Sequence, residues 1–241
     1  MKNWQKILSI FAVTLIVGGG YLLYVWHQRS NPGVAPPSAQ TEQPLSRDEV
    51  AVVRPLSPQH FEDLQPLVGT RIWMKNGYTI PYFPYANGAI QFSKKAGLIP
   101  AAQPMDVKKF VKSAAPASVD DGMEHGTRQA FAVFSLPGDT KLYATPVGSL
   151  EGDEEHYFAD LLFYYDDPHT IYSYWPKDVW AAIDAHQVKA GMSELETRMA
   201  IGQKIEPDGQ DEGDRTVSYD QEGKHWIVTY VKNRATTIKT P

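Results

Sequence analysis

The densest gathering of residues able to do chemistry is G-D-E-E-H-Y-F-A-D-L-L-F-Y-Y-D-D-P-H, residues 152–169. It supplies Asp153, Glu154, Glu155, His156, Asp160, Asp166, Asp167 and His169. Carboxylates combined with imidazoles can bind a divalent metal. On a strand, His156 and Asp160 would share one face, because four residues make two full periods. Asp167 and His169 would then lie beyond the strand's end, where ligands often gather. These four are the candidate metal ligands, and they make an extracytoplasmic metal-binding protein or hydrolase the alternative function. The simpler reading is structural: residues 151–155 form a solvated turn, and Asp166-Asp167-Pro168 opens another.

A second candidate is G-M-S-E-L-E-T-R-M-A-I-G, residues 191–202. A nucleophilic Ser193 would need a base and an orienting third group, and none is visible nearby. The spacing of Ser193 and Glu196 is that of a capping box, in which each side chain accepts from the other's backbone N–H. Leu195 and Met199 face inward together, and Gly202 can end the helix in the left-handed region. A third candidate is the aromatic group Trp73, Tyr78, Tyr82, Phe83 and Tyr85, which can form a face for a partner. P-loop, dinucleotide, HExxH and GxSxG signatures are all missing. The expectation is a non-enzyme with no catalytic residue and no cofactor.

The elements that must position these residues differ along the chain. Residues 7–26 form an uninterrupted apolar run preceded by Lys2 and Lys6. Twenty residues at 1.5 Å each span roughly 30 Å, the thickness of a bilayer's hydrocarbon core. The expected reading is a single-pass anchor in the inner (plasma) membrane, with a cytoplasmic N-terminus and an extracytoplasmic body. A cleaved signal peptide is the rival, with residues 7–17 as its apolar region and Gly18-Gly19-Gly20 near the cleavage site. It would leave Tyr-Leu-Leu-Tyr-Val-Trp on the mature chain, which favours the anchor.

Residues 30–55 are rich in Pro, Ser, Gln and Ala and read as a flexible linker following the segment 1–29. Lys2, Lys6 and Arg29 are the bases that precede residue 30, leaving 20 bases against 28 acids beyond it. Such a body should not bind nucleic acid through bulk charge. The chain has no cysteine, which excludes disulfides, catalytic thiols and lipidation on Cys.

Residues 56–168 read as a small antiparallel β domain of SH3-like barrel type. Ser57 and Pro58 should start a short helix carrying Phe61 and Leu64. Asn76-Gly77 and Asn87-Gly88 are hairpin signals. Pro81 and Pro84 belong at a sheet edge or bulge. P-M-D-V-K-K-F-V-K-S predicts a helix capped by Asp106, with Val107, Phe110 and Val111 on one face. Residues 113–127 look like a loop, a turn is expected at Pro137-Gly138, and 156–165 should form one strand. Residues 169–241 read as helix, helix and three strands. The first helix has Pro176 in its first turn and Val179, Trp180 and Ile183 as its apolar face.

The pattern Gly-Met-Ser-x-x-Glu, an apolar helix, a Gly and three strands resembles the small outer-membrane assembly lipoprotein family (SmpA/OmlA, BamE-like). Residues 175–239 carry this resemblance, including the lead-in from Trp180 to Met192. It implies two helices against a three-stranded antiparallel sheet, in envelope proteins that bind other proteins. The fold class expected for the whole chain is therefore α+β. Its expected function is a binding or scaffold module of the bacterial envelope, attached to the membrane through residues 7–26 and acting on an envelope protein partner. An accessory subunit of a membrane complex is a further alternative.

Overall fold

R-Q-A-F-A-V-F-S is apolar on both sides, and it becomes the middle strand of the larger sheet. In the computed structural model, residues 4, 17–27, 47–48, 50–116, 128–152, 154–207, 211–221 and 223–240 are described. Thirteen strands occur among them: β1 (Arg71–Met74), β2 (Pro81–Ala86), β3 (Ala89–Ile90), β4 (Gly97–Leu98), β5 (Pro104–Ala114), β6 (Arg128–Ser135), β7 (Leu142–Glu151), β8 (Glu154–Tyr157), β9 (Phe163–Tyr164), β10 (Gln203–Pro207), β11 (Thr216–Gln221), β12 (Lys224–Val231) and β13 (Arg234–Lys239). Beyond residue 46, four short helices accompany them: α1 (Ala159–Leu162), α2 (Pro168–Ile171), α3 (Lys177–Asp184) and α4 (Glu194–Ile201). A 3-10 turn, Phe61–Leu67, precedes β1.

Nine strands make one antiparallel sheet in the order β3-β2-β7-β6-β5-β1-β9, with β4 beside β2 and β8 beside β7. On β6, Ala130, Ala132 and Phe134 join the cluster built on Leu64, Ile72, Met74 and Phe163. Phe131 and Val133 point the other way, where Phe92 lies over Phe83 and Phe131. Burial of each such Phe or Val is worth about 1.5–3 kcal/mol. Four further strands form a second antiparallel sheet, β10-β11-β12-β13. Its inner residues Val217, Tyr219, Val228 and Tyr230 pack with α3 and α4 in a second cluster. Along β9 the side chains alternate: Phe163 faces the first cluster and Tyr164 the second. Its partner residue Trp73 on β1 also packs on the second cluster, so the β1/β9 edge is a wall between the two cores.

The expected α+β class is corrected by this architecture, which is mostly β. In place of a small SH3-like barrel there is a nine-stranded sheet. In place of helix-helix-three-strand the C-terminal part carries four strands, because Gln203–Pro207 after Gly202 pairs with β11. P-M-D-V-K-K-F-V-K-S is strand β5, not a helix. A bulge at Lys108 inserts one residue opposite the Phe134/Val133 step. The inward positions Val107 and Phe110 thereby become three apart, which imitates a helical period. The expected strand 156–165 breaks at Phe158 into the turn of α1. The helix expected from Ser57 starts instead at Phe61, where Asp63 accepts the amides of Gln59 and His60.

The two Asn-Gly pairs behave differently. Asn87 and Gly88 both have positive φ (53° and 78°), as a tight hairpin needs, and β2 pairs with β3 across them. At Asn76-Gly77 only Gly77 is left-handed, and β1 pairs with β5 and β9 instead of β2.

The chain divides into Met1–Ser46 and Arg47–Pro241. In the first unit residues 17–27 are helical, with Tyr21, Leu22, Leu23 and Trp26 exposed. Those eleven residues span roughly 16 Å, about half of a bilayer core. Among the described residues no helix is long and apolar enough to cross a membrane. That finding corrects the transmembrane signal-anchor over residues 7–26, and with it the single-pass inner-membrane location. Residues 7–16 of that run, residues 30–46 and 49 of the linker and residues 117–127 of the expected loop lie outside the described residues.

Candidate functional site

The connection from α2 to α3 builds a shelf of aromatic rings. Asp167 caps α2, accepting from the His169 backbone N–H, and Pro168 supplies its first residue. The chain then turns through Y-S-Y-W-P, with the Trp175 amide donating to the Tyr172 carbonyl. So short a link leaves the rings nowhere to separate. Tyr172 and Trp175 stack at 4.4 Å, Trp175 meets Trp180 at 5.2 Å, and His169 stacks on Trp180 at 3.9 Å. Tyr172, Trp175 and Trp180 are buried, while Tyr174 is half-buried at the rim.

A strap, residues 47–48 and 50–61, lies along this region. Ala51 and Val53 pack on the second cluster, while Val52 is 87% exposed and Arg54 points to solvent. That alternation is the signature of extended backbone, yet among the described residues no strand pairs with it. Side chains hold it instead. Asp48 Oδ1 accepts from the Tyr174 hydroxyl at 2.6 Å and from the Trp175 indole N–H at 2.9 Å. The Arg47 guanidinium sits 5.8 Å above the Tyr174 ring. Asp160 takes two successive strap amides, Leu56 on Oδ1 at 2.9 Å and Ser57 on Oδ2 at 2.8 Å. Asp166 pairs with Arg54 at 3.2 Å, and Glu155 accepts the Phe61 amide at 2.8 Å.

The electrostatics follow from these contacts. Burial raises the Asp160 carboxyl, but hydrogen bonds from the Tyr165 hydroxyl and the Leu56 and Ser57 amides outweigh it. The net result lies below the ordinary carboxylate range. Glu155 is lowered too, first by the Lys112 ammonium and then by the Tyr157 hydroxyl. Both acids therefore stay ionised as acceptors. Burial and the Asp48 carboxylate push the Tyr174 phenol up, so it stays a donor. Below the shelf, Lys75 donates to the Asp160 carbonyl and lies 5.4 Å above the Tyr164 ring. Burial pulls its ammonium down. The Tyr164 hydroxyl donates to Asn76 Oδ1 at 3.0 Å and lies 3.4 Å from that of Tyr172.

The four candidate metal ligands are not brought together. His156 lies on exposed β8 against Glu154 at 3.4 Å. Asp160 is on α1, not on a strand with His156, and is engaged by the strap. Asp167 and His169 do meet, at 2.9 Å, and the other ring nitrogen of His169 lies 3.3 Å from Asp184. Among the described residues no group of three or more His, Asp or Glu side chains is placed to hold a metal.

The aromatic group is dispersed as well. Phe83 is fully buried, Tyr82 faces the opposite side of β2, and Trp73 packs in the second cluster. Tyr85 lies under Lys109 at 4.6 Å, and Tyr78 is exposed. Ser193 and Glu196 form the capping box: the Ser193 hydroxyl accepts from the Glu196 amide at 3.1 Å, and the Glu196 carboxylate from the Ser193 amide at 2.6 Å.

Tyr172, Tyr174, Trp175 and Asp48 were not singled out by the sequence analysis. The signal for the first three is the aromatic density of H-T-I-Y-S-Y-W-P-K-D-V-W. Asp48 gives none, because its partners lie more than 120 residues away. No family model, curated protein or solved structure matches this chain.

Proposed function

We propose that this chain is a non-enzymatic protein-binding module whose working surface is the shelf of residues 155–180. One observation carries the reading. The body already holds an extended segment through aromatic rings, alternate aliphatic contacts and carboxylates that take backbone amides. Those are the elements by which binding modules recognise extended peptides. Asp160 and Glu155 serve as acceptors for backbone amides of the strap, which also fits recognition of a chain better than proton transfer.

The test is photo-crosslinking of the full chain in its native cells. A benzophenone side chain is placed at Ser173, exposed beside Tyr174, and separately at Thr140, exposed between β6 and β7. A discrete protein adduct from position 173, absent from position 140 and lost with Tyr174→Ala, is the expected result. Equal labelling from both positions, or none from 173, would overturn the reading.

A further inference from the structure

We propose that the strap is a stand-in ligand. It occupies a groove that takes an extended peptide from a partner, one carboxylate of which seats on the Tyr174 hydroxyl and the Trp175 indole N–H as Asp48 does. This rests on the binding-module reading and names the ligand class and the regulation of that same surface.

The groove's donors require an acceptor, and the strap supplies a carboxylate, the strongest kind. The indole N–H of a Trp is a donor only, and Trp175 is 6% exposed. Without an acceptor it would be left dry and unsatisfied. It shares one carboxylate oxygen with Tyr174, and any occupant must supply an equivalent. Five residues on, the groove takes Val53, and three residues on, Ala51. Asp160 then receives two consecutive amides, a feature every non-proline backbone offers. Asp166 takes a guanidinium at the sixth position. The ligand is therefore an extended segment with an acid, small aliphatic side chains at +3 and +5, and a base at +6.

The strap's own hold is built to yield. It has no ladder, and Val50 and Val52 gain little from contact, being 55% and 87% exposed. The Arg54–Asp166 pair is exposed on both sides, and such pairs contribute little. Ser57 has φ of +53° immediately before Pro58, a conformation that release would relieve. Tethering gives the strap an effective concentration on the order of millimolar, so it excludes weak ligands and yields to stronger ones.

A fluorescent peptide copying residues 46–58 is titrated by anisotropy into the full wild-type chain and into full-chain Asp48→Ala/Arg54→Ala, which loosens the strap and leaves the shelf intact. Binding to the double variant should be about tenfold tighter or more, the cost of losing charge-assisted hydrogen bonds from the competing strap. A peptide carrying Asp48→Asn should lose most of that gain. Equal affinity for both chains, no binding to either, or an Asn peptide that binds as well as the Asp peptide would overturn the proposal. Near-ultraviolet circular dichroism checks that the variant is folded. If the double variant is not, full-chain Asp48→Asn, which keeps the side chain's shape and removes its charge, carries the comparison, with the same ordering expected. A partner captured at Ser173 without these peptide effects removes the stand-in ligand and leaves the binding module standing. Peptide binding without capture shows a strap that exchanges, but removes the cellular partner and with it the binding module.

Discussion

Asp160 shows how one side chain settles a choice between chemistry and architecture. As a candidate metal ligand it required His156 on the same face. On α1 it accepts the Leu56 and Ser57 amides and the Tyr165 hydroxyl instead. Asp160→Ala removes all three bonds at once, and urea denaturation should show a loss of roughly 2–3 kcal/mol. The pH dependence follows from the same contacts. Asp160 and Glu155 both titrate below their ordinary values of 3.8 and 4.5, so the folded state binds their protons more weakly than the unfolded state. Their contribution is complete above those ordinary values and is lost as pH falls through the lowered ones. Strap amide protection, read by hydrogen exchange, should fall in that acid window. Glu196 has the opposite sign. Burial raises its carboxyl above 4.5, with Asp48 adding to the push and Arg234 opposing it from 3.8 Å. Ionising it therefore costs stability, and the cost appears as pH rises. Glu196→Gln keeps the capping geometry and should raise the melting temperature at neutral pH, with the difference shrinking toward acid.

At the scale of elements, what was legible in the sequence depended on whether a signal was local. The Ser193–Glu196 capping box, the Asn87-Gly88 hairpin and the Pro137-Gly138 turn between β6 and β7 are decided within four residues, and each forms. Strand β5 was not legible, because the bulge at Lys108 turned an alternating strand into an imitation of helical spacing. The pairing of β1 with β5 and β9 was not legible either, because Asn76-Gly77 looked like a hairpin and its real partners lie 30 to 90 residues on. Close packing within the sheet gives a test. A Cβ on Gly148 would come within 2.6 Å of the Tyr157 ring and 2.7 Å of the His156 carbonyl. Gly148→Ala should therefore push β8 off β7 and cost roughly 1–3 kcal/mol, measured by urea denaturation. Gly138→Ala, with open space around it, should show only the cost of its left-handed φ of 78°.

For the molecule as a whole, the described residues beyond 46 hold two large cores that share one wall, with a smaller cluster on the other face of the first sheet. Trp73 and Tyr164 pair across β1 and β9 and pack into the second cluster, while Met74 and Phe163 beside them fill the first. Neither core can open there without stripping the other, so tryptophan fluorescence and far-ultraviolet circular dichroism should report coincident unfolding transitions. Separate transitions would mean that the wall does not couple them. The strap crosses both cores, with Ala51 and Val53 on one and Leu56 and Phe61 on the other. Its place in the fold was missed because residues 47–55, R-D-E-V-A-V-V-R-P, directly follow the Pro-rich stretch and were grouped with it, while partners that order the strap lie 104 to 126 residues away. The whole functional account depends on that seat. The most direct measurement is a nitrogen-15 correlation spectrum of the indole region, where each of the six tryptophans contributes one signal. With Asp48→Asn, the account expects the Trp175 indole signal to move, together with faster exchange of its proton, while those of Trp4 and Trp26 stay in place. An unchanged Trp175 signal would mean that the shelf does not hold the strap's acid, and the reading of this surface as a peptide-binding site would fall with it.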